Sequence, residues 1–239
     1  MTNAECRLKK DGPFPSIVAK LEIRCMGTTV RLVEDFELDG TGNASAWDAA
    51  EWLKLPPIKG IGTYATGAKI AYSSLGIYCL FDCVDQVLTC TDLKDNDHLY
   101  NQDVVEAFFW PEESQHLYLE YELSPLGRQL PLMVPNHGGQ FMGWIPWNVG
   151  DDRQTRRATA IRGGEKLPGA AVSGWSAEFF IPFALMRGLR NVPPNPGTIW
   201  RANFYRIDYD QNEQTLFAWA TGVRNSFHDF REFGTLRFA

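Results

Sequence analysis

Apolar and polar residues alternate along this chain in short runs, and Gly, Pro, Asn or Asp residues separate one run from the next. A period of two residues is typical of β-strands that bury one face. The pattern predicts two hairpins, over residues 69–83 and 104–123. Helical periodicity is weak and favours two short helices, at 45–53 and 182–189. Further strands are predicted in the following segments, the first two as a strand pair: 30–33, 158–162, 175–181, 198–207, 214–220 and 235–238.

These elements predict an all-β fold, an antiparallel two-sheet β-sandwich of the immunoglobulin or jelly-roll kind with one or two short helices. Sandwiches of this size are routinely one domain, so residues 1–239 are expected to form a single domain, with 1–30 as a candidate N-terminal extension. The segment 125–174 departs from the alternation and predicts a long loop. It contains Trp144 and Trp147, which either form an added wall of a pocket or cap the core.

Charge and composition exclude several classes of partner. With a formal charge of −6 and a pI near 5.3, the chain lacks the basic surface that nucleic acid requires. No apolar stretch is long enough for a membrane span. Residues 1–15 lack the apolar centre of a signal peptide, so the chain as given is expected in the cytoplasm; a removed leader would make it extracellular or periplasmic. Its five cysteines, an odd number without metal-binding spacing, are expected to be reduced and mostly buried.

The second hairpin carries the most informative pattern of faces. Alternation places Val105 and its neighbours on one apolar face, which is expected to join the core. Glu106 lies on the other face, and antiparallel pairing would set it beside Tyr118, Glu120 and Glu122. Carboxylates, a phenol and nearby aromatic rings suit a polyol ligand. An ordinary solvated face of an antiparallel sheet would give the same pattern, and both interpretations stay open at this point.

Three separated motifs combine aromatic side chains with hydrogen-bonding groups, each at the edge of a predicted strand: 100–106, 201–206 and 226–228. A pyranose presents an apolar C–H face, which stacks on an aromatic ring, and hydroxyl groups, which need polar partners. In this order, the motifs resemble the family 9 carbohydrate-binding modules. The resemblance runs from about Asp39 to the C terminus and also includes these residues: Trp47, Trp175, Glu178, Asn203 and 233–238.

The resemblance implies a β-sandwich that binds a sugar in a slot between two aromatic side chains, often at the end of a glycan. Tyr100 and Phe227 stand where the family has stacking tryptophans, and Glu106 matches a glutamate that hydrogen-bonds to the sugar. Tyr118 stands in place of an arginine and Tyr205 in place of a glutamine, which changes the implied specificity. Further contacts are implied for these residues: Asn203, Arg224 and Asn225.

The family often carries structural calcium, so the resemblance implies a calcium site at Asp85 and no other required cofactor. Asp39, Asp82 and Asp103 are further oxygen donors, although no continuous loop supplies them together. His228, beside the stacking position, either hydrogen-bonds a ring hydroxyl or is satisfied by the backbone.

The sequence therefore predicts non-catalytic binding of an oligo- or polysaccharide end, in glycan recognition or carbohydrate catabolism, with a separately encoded glycan-degrading enzyme as a partner. Two other functions stay open. The haem-binding DOMON domains share the family's fold, and axial ligands would come from Met133, Met142 and His137. A glycoside hydrolase would use clustered carboxylates, here Asp103, Glu106, Glu120 and Glu122.

Overall fold

The computed structural model describes residues 26–138, 140–210, 213–223 and 226–239. Strands dominate the described chain, and the helical segments are short 3-10 turns. The strands are β1 (Gly27–Leu32), β2 (Leu53–Lys54), β3 (Pro57–Lys59), β4 (Thr66–Tyr72), β5 (Gly76–Cys83), β6 (Val104–Trp110), β7 (Leu117–Leu123), β8 (Gln129–His137), β9 (Gln140–Phe141), β10 (Ile145–Pro146), β11 (Arg156–Arg162), β12 (Gly174–Pro182), β13 (Ile199–Asp208), β14 (Thr215–Ala218) and β15 (Gly234–Phe238). The turns are Ser45–Ala49, Leu99–Asn101, Asp151–Arg153, Phe183–Met186 and Phe230–Glu232. Within these ranges, no helix has the length and apolar character of a membrane span.

The strands form two sheets that share one strand. The first sheet has the order β10-β8-β7-β6-β13-β15-β1, and the second has the order β1-β4-β5-β12-β11. Strand β1 pairs with β15 through Gly27–Val30 and with β4 through Arg31 and Leu32, in parallel both times. The pairings that build the rest of the sheets are antiparallel. The predicted two-sheet β-sandwich is therefore confirmed, with β1 as a parallel connection between its layers.

The core lies between the sheets and follows the predicted alternation. Val105, Ala107 and Phe109 of β6 point inward and are fully buried. They pack in one cluster with Phe81 of β5 and Phe179 of β12 from the opposite sheet. Each strand contributes every second residue to this layer, because successive side chains of a strand point to opposite faces.

The first sheet is buried on its outer face as well. Phe108 and Tyr118 point away from the core, yet both are fully buried in a second apolar cluster. The segment around Phe230 and Phe233 covers them. The turn at Leu99 contributes to the same cluster. This cover turns a face that sequence alone could assign to solvent into a closed layer.

The second sheet is covered more locally. Trp47 packs on its outer face, and the indole Nε1 donates a hydrogen bond of 2.6 Å to the buried Glu178 carboxylate. The other oxygen of Glu178 accepts the backbone N–H of Gly40 at 2.6 Å. This carboxylate therefore fixes the 39–47 segment on the sheet.

Several local predictions are wrong, and β8 explains the largest error. The segment 125–174 is not one long loop, since it contains β8 and β11. Strand β8 escapes detection because both of its faces are buried, Leu132 in the outer cluster and Met133 in the core. A strand buried on both sides shows a continuous apolar run instead of alternation.

The helices and the N-terminal strand pair also need correction. The two predicted helices are 3-10 turns, Ser45–Ala49 and Phe183–Met186. The segment 30–33 does not pair with 158–162, since β1 joins β15 and β4 whereas β11 joins β12. The candidate extension 1–30 lies mostly outside the described residues, but Gly27–Val30 belongs to the sheet.

The cysteines among the described residues are reduced and buried, as the sequence predicts. Cys79, Cys83 and Cys90 are buried free thiols. Burial raises the pKa of Cys83 and Cys90 to about 12, which keeps both thiols protonated and unreactive. Cys6 and Cys25 lie outside the described residues.

A buried arginine connects the two sheets. Arg206 of β13 is completely buried on the inner side, and its guanidinium contacts Asp85 at 2.9 Å and Asp208 at 3.2 Å. It also donates to the carbonyl oxygen of Val84 at 2.7 Å and to the hydroxyl of Thr66 at 3.1 Å. Arg206 therefore bonds β13 of the first sheet to the ends of β4 and β5 in the second.

Replacement of Arg206 by methionine is expected to lower the free energy of unfolding by about 3–5 kcal/mol, because it leaves buried carboxylates without their cation. Urea unfolding followed by tryptophan fluorescence measures the change. Arg187→Met is the matched control, since Arg187 pairs with Asp152 but its side chain is 65% exposed. The control should lose less than about 1 kcal/mol, and equal losses in both variants would contradict the role given to Arg206.

Candidate functional site

A pocket of about 300 Å³ opens on the outer side of the first sheet. Its floor comes from β6, β7 and β8, and its walls come from three separate loop segments. The lining residues are Tyr100, Glu106, Glu120, Leu132, Phe141, Trp144, Ser226, Phe227 and His228. Five of these are site residues predicted from sequence: Tyr100, Glu106, Trp144, Phe227 and His228.

The floor places three glutamates on one sheet surface, as the alternation predicts. Glu106 on β6 lies directly opposite Glu122 on β7, and Glu120 lies opposite Phe108. All three carboxyl groups are buried, with exposed fractions of 3% or less. The alternative of a solvated sheet face is therefore wrong for these residues.

Burial controls the ionisation of this group. It raises the pKa of Glu120 to about 8. Burial also raises the pKa of Glu106 well above its usual range, and the nearby negative charge of Glu120 adds to the effect. The pKa of Glu122 rises for the same reasons, burial first and the charges of Glu106 and Glu120 next. Burial therefore favours the protonated form of these carboxyl groups.

One of these oxygens lacks a partner. Among the described residues, no hydrogen-bond donor reaches Oε2 of Glu120, which lines the pocket. Buried polar atoms normally have a partner, and one left without it costs roughly 1–3 kcal/mol. The bottom of the pocket is therefore ready to accept donors from a ligand.

His228 sits at the mouth of the pocket as a neutral ring. Its Nδ1 lies 2.8 Å from the hydroxyl of Tyr118 and 3.8 Å from Oε2 of Glu120. Burial lowers the pKa of His228 to about 4, so the imidazole carries no charge at neutral pH. Phe141 stacks on the ring at a centroid distance of 4.0 Å. The partner of Nδ1 is therefore the Tyr118 side chain and not the backbone that one of the two interpretations expected.

Aromatic rings form most of the walls. Tyr100 meets Trp144 edge to face, with ring centroids 6.5 Å apart, and His98 stacks on Tyr100 with a centroid distance of 5.3 Å. Phe227 stacks on Tyr205 at 4.0 Å with an interplanar angle of 13°. Half-buried rings held in this way present a surface for an apolar ligand face.

Three predicted contact residues lie behind the pocket instead of in it. Tyr118, Asn203 and Tyr205 are fully buried and do not line the cavity. The hydroxyl of Tyr205 donates to the carbonyl oxygen of Phe227 at 2.9 Å and accepts from Nδ2 of Asn203 at 2.8 Å. These residues position Phe227 and His228. Arg224 and Asn225 lie outside the described residues.

The two tryptophans of the 125–174 segment have different places. Trp144 lines the pocket, as one of the two interpretations expected. Trp147 packs against the core between the sheets, and its Nε1 donates to the carbonyl oxygen of Leu185 at 2.7 Å. Trp147 therefore caps the core. Sequence alone does not show which tryptophan forms the pocket wall and which caps the core.

Sequence reasoning missed two lining residues, Leu132 and Phe141, and included Ser226 only as part of the 226–228 motif. Phe141 lies in the same segment as Trp144, so its aromatic character was an available signal. Leu132 belongs to the unpredicted strand β8 and gave no signal.

The acidic residues near Asp85 do not suit calcium. Asp85, Asp208 and Asp210 bring one oxygen each within 4.8 Å of one another. However, Asp85 already accepts Nε1 of Trp175 and the guanidinium of Arg206 on one oxygen and backbone N–H groups on the other. Calcium needs six to eight free oxygens. The guanidinium already supplies the positive charge at this point.

The other implied calcium donors are dispersed and engaged. Asp39 accepts the backbone N–H and the hydroxyl of Thr41, and Asp82 pairs with Arg162. Asp103 accepts the backbone N–H groups of residues 89 and 209, and it does not line the pocket. Asp103 is therefore separate from the glutamates with which a hydrolase site was considered.

The haem ligands considered from sequence have different environments. Met133 is buried in the core between the sheets. Met142 and His137 are exposed. A haem iron needs ligands directed into one cavity, and a methionine packed in the core does not provide that.

We expect the free energy of unfolding to fall between pH 6.5 and 8. A carboxyl group whose pKa is raised on folding stabilises the protein below its unfolded pKa, and this stability is lost as the pH rises through the folded value. The raised pKa of Glu120, about 8, therefore gives a decline of roughly 1 kcal/mol per pH unit. His228, with a pKa lowered to about 4, acts in the opposite sense but only below pH 6.5.

Urea unfolding at several pH values measures this decline. Glu120→Gln should flatten it, because glutamine does not ionise, whereas Glu165→Gln at an exposed position should leave it unchanged. An identical pH dependence in wild type and Glu120→Gln would contradict the protonated state assigned to the pocket.

Comparison with protein-family models gives no match, and comparison with curated proteins gives none either. Solved structures do match. A candidate carbohydrate-binding protein from Bacteroides uniformis superimposes with a TM-score of 0.71 at 18% identity, covering 90% of this chain and 99% of its own. A family 9 carbohydrate-binding module from Caldicellulosiruptor kristjanssonii in complex with cellotriose gives 0.60 at 18% identity, covering 89% and 93%. A family 9 module from the same organism in complex with glucose gives 0.58 at 16%, covering 89% and 96%. At these identities the likeness establishes architecture, and the chain has the fold of the family 9 carbohydrate-binding modules.

Proposed function

We propose that this protein binds carbohydrate in the pocket between Tyr100, Trp144 and Phe227, without hydrolysing it. The observation that carries the proposal is the combination in one cavity of aromatic walls and buried carboxyl groups. The rings suit the apolar C–H face of a pyranose, and the carboxyl groups suit its hydroxyls. The solved structures of the same fold, two of which are bound to cellotriose or glucose, support this choice of ligand class.

The shape of the pocket favours the end of a glycan as the ligand. Its volume of about 300 Å³ is at the lower limit of typical small-molecule sites, which suits one or two sugar rings. Glu106, Glu120 and Leu132 belong to central strands and close the bottom. A polysaccharide chain cannot pass through a continuous sheet, so one terminal residue would enter and the remainder would extend outward.

Protonated carboxyl groups can both donate and accept hydrogen bonds. A neutral Glu120 would donate its O–H to a sugar hydroxyl and accept from another through its second oxygen. A group that both donates and accepts hydrogen bonds suits polyols, because each sugar hydroxyl is also both a donor and an acceptor. The neutral imidazole of His228 adds a further donor or acceptor at the mouth.

The same protonation supports binding in preference to hydrolysis. Glycoside hydrolysis requires a protonated acid and, opposite to it, an ionised carboxylate. Burial raises the pKa of Glu106, Glu120 and Glu122 alike, so these groups do not divide into an acid and a base. A glycan-degrading partner enzyme, encoded separately, is proposed to supply the chemistry.

Replacement of Trp144 by alanine is expected to weaken glycan binding by roughly 30-fold, because it removes about 2 kcal/mol of contact from one wall. Isothermal titration with oligosaccharides, tested with free and with chemically reduced ends, measures the loss. Reduced ends should bind less well if a terminal ring enters the pocket.

Trp147→Ala is the matched control, since Trp147 packs on the core and not on the pocket. It should lower the melting temperature by several degrees and leave the affinity of the folded fraction nearly unchanged. A larger loss of affinity in Trp147→Ala than in Trp144→Ala would contradict the assignment of the site. Release of reducing sugar by the wild-type protein would contradict the absence of hydrolysis.

We also propose that calcium is not needed for stability, because Arg206 provides the positive charge beside Asp85. Treatment with EDTA is expected to leave the melting temperature unchanged within about 1 °C, and added calcium should not raise it. A clear rise with calcium that is abolished by Asp85→Asn would contradict this proposal and support the calcium site implied by the resemblance.

A further inference from the structure

We propose that the pocket selects glycans whose terminal sugar carries a protonated amine, an inference that rests on the proposed carbohydrate binding. The ionisable carboxyl groups that line the cavity are Glu106 and Glu120, and the described lining residues include no lysine or arginine. A cation beside them would lower their raised pKa values and allow them to ionise. Glu122 lies opposite Glu106 on the next strand and adds a third carboxyl group. A pocket of this composition favours a positively charged occupant.

The unpartnered oxygen points to the same ligand chemistry. Oε2 of Glu120 is buried in the pocket lining and has no hydrogen-bond donor among the described residues. An ammonium group brings three N–H donors and a positive charge, whereas a sugar hydroxyl brings one donor and no charge. An amine directed at Glu106 and Glu120 would therefore satisfy the floor more completely than a hydroxyl does.

The walls are compatible with a cation. Tyr100, Trp144 and Phe227 surround the cavity with aromatic rings, and ring faces attract ammonium groups as well as sugar C–H groups. His228 is neutral and does not repel such a ligand. Amino sugars join both features in one molecule, an apolar ring face and a charged substituent.

The contrast with the buried aspartates strengthens the inference. Asp85 and Asp208 have an internal cation, the guanidinium of Arg206. In the described part of the chain, no arginine or lysine pairs with Glu106, Glu120 or Glu122. The chain thus supplies a cation to Asp85 and Asp208, whereas the ligand would supply the cation to the pocket glutamates.

Three trisaccharides with the same β-1,4-linked backbone test the proposal. Cellotriose carries a hydroxyl at C2, tri-N-acetylchitotriose a neutral acetamide, and chitosan trisaccharide an amine. Isothermal titration at pH 7 should give the amine-bearing trisaccharide an affinity 10-fold or more above cellotriose, which corresponds to about 1.4 kcal/mol.

Glu120→Gln should remove most of this preference, because glutamine can still form hydrogen bonds but cannot ionise. The readout is the ratio of the two affinities, since the variant also changes the contacts to cellotriose. Glu165→Gln, at an exposed site, should keep the preference. Glu106→Gln repeats the test if Glu120→Gln does not fold.

Equal affinity for the three trisaccharides would overturn the charge selectivity and leave carbohydrate binding intact. Absence of binding to all three would overturn both proposals. Arg224 lies outside the described residues. It is the arginine nearest in sequence to the lining residues 226–228, so it is the cation of the chain to test as a competitor of the ligand amine. If Arg224→Gln prefers the amine and the wild type does not, the chain provides its own cation and the inference is overturned.

Discussion

The first sheet has to be covered on both faces, and this constraint organises most of the molecule. Its inner face packs against the second sheet, while its outer face carries Phe108 and Tyr118, which are too apolar to remain in water. The segments near Leu99, Trp144 and Phe230 provide the cover. Their cover is incomplete at one point, over the glutamates of β6 and β7. The pocket is therefore a gap in the packing of loops over a rigid sheet, with its floor fixed by strand pairing.

The protein stabilises two groups of buried acids in different ways. On the inner side, Arg206 neutralises Asp85 and Asp208 directly, at the high desolvation cost that any buried ion pair carries. On the outer side, burial raises the pKa of Glu106 and Glu120 and so favours their neutral forms, which lowers that cost. Only the pocket glutamates can respond to a ligand. A protonated carboxyl group can lose its proton and then pair with a hydrogen-bond donor or a cation of the ligand. The first arrangement is structural, and the second belongs to the pocket.

Sequence predicts strand faces well and their environment poorly. The alternation in 104–110 correctly separates Val105 from Glu106, because side-chain direction depends only on the local backbone. The same alternation does not reveal whether a face meets water or a covering loop, so the burial of Glu120 and Tyr118 emerges only in three dimensions. Strand β8 was hidden for a related reason, since burial on both faces removes the period of two.

Some of the residues implied by the resemblance converge on one pocket, and others lie behind it. Tyr100, Glu106 and Phe227 reach the pocket, whereas Tyr205 stands one layer deeper and acts through Phe227. A motif match predicts the strand on which a residue lies and the sheet face to which it points. Whether the side chain lines the pocket or lies beneath it depends on the loops that pack above.

The placement of β1 has a mechanical consequence. It lies parallel to the C-terminal strand β15, with Gly27 beside Thr235 and Val30 beside Phe238. The two ends of the described chain therefore leave this strand pair in opposite directions. A force that pulls those ends apart would load the backbone hydrogen bonds of the pair together, in shear, instead of opening them one after another. A domain built in this way would resist tension between its two described ends without any crosslink.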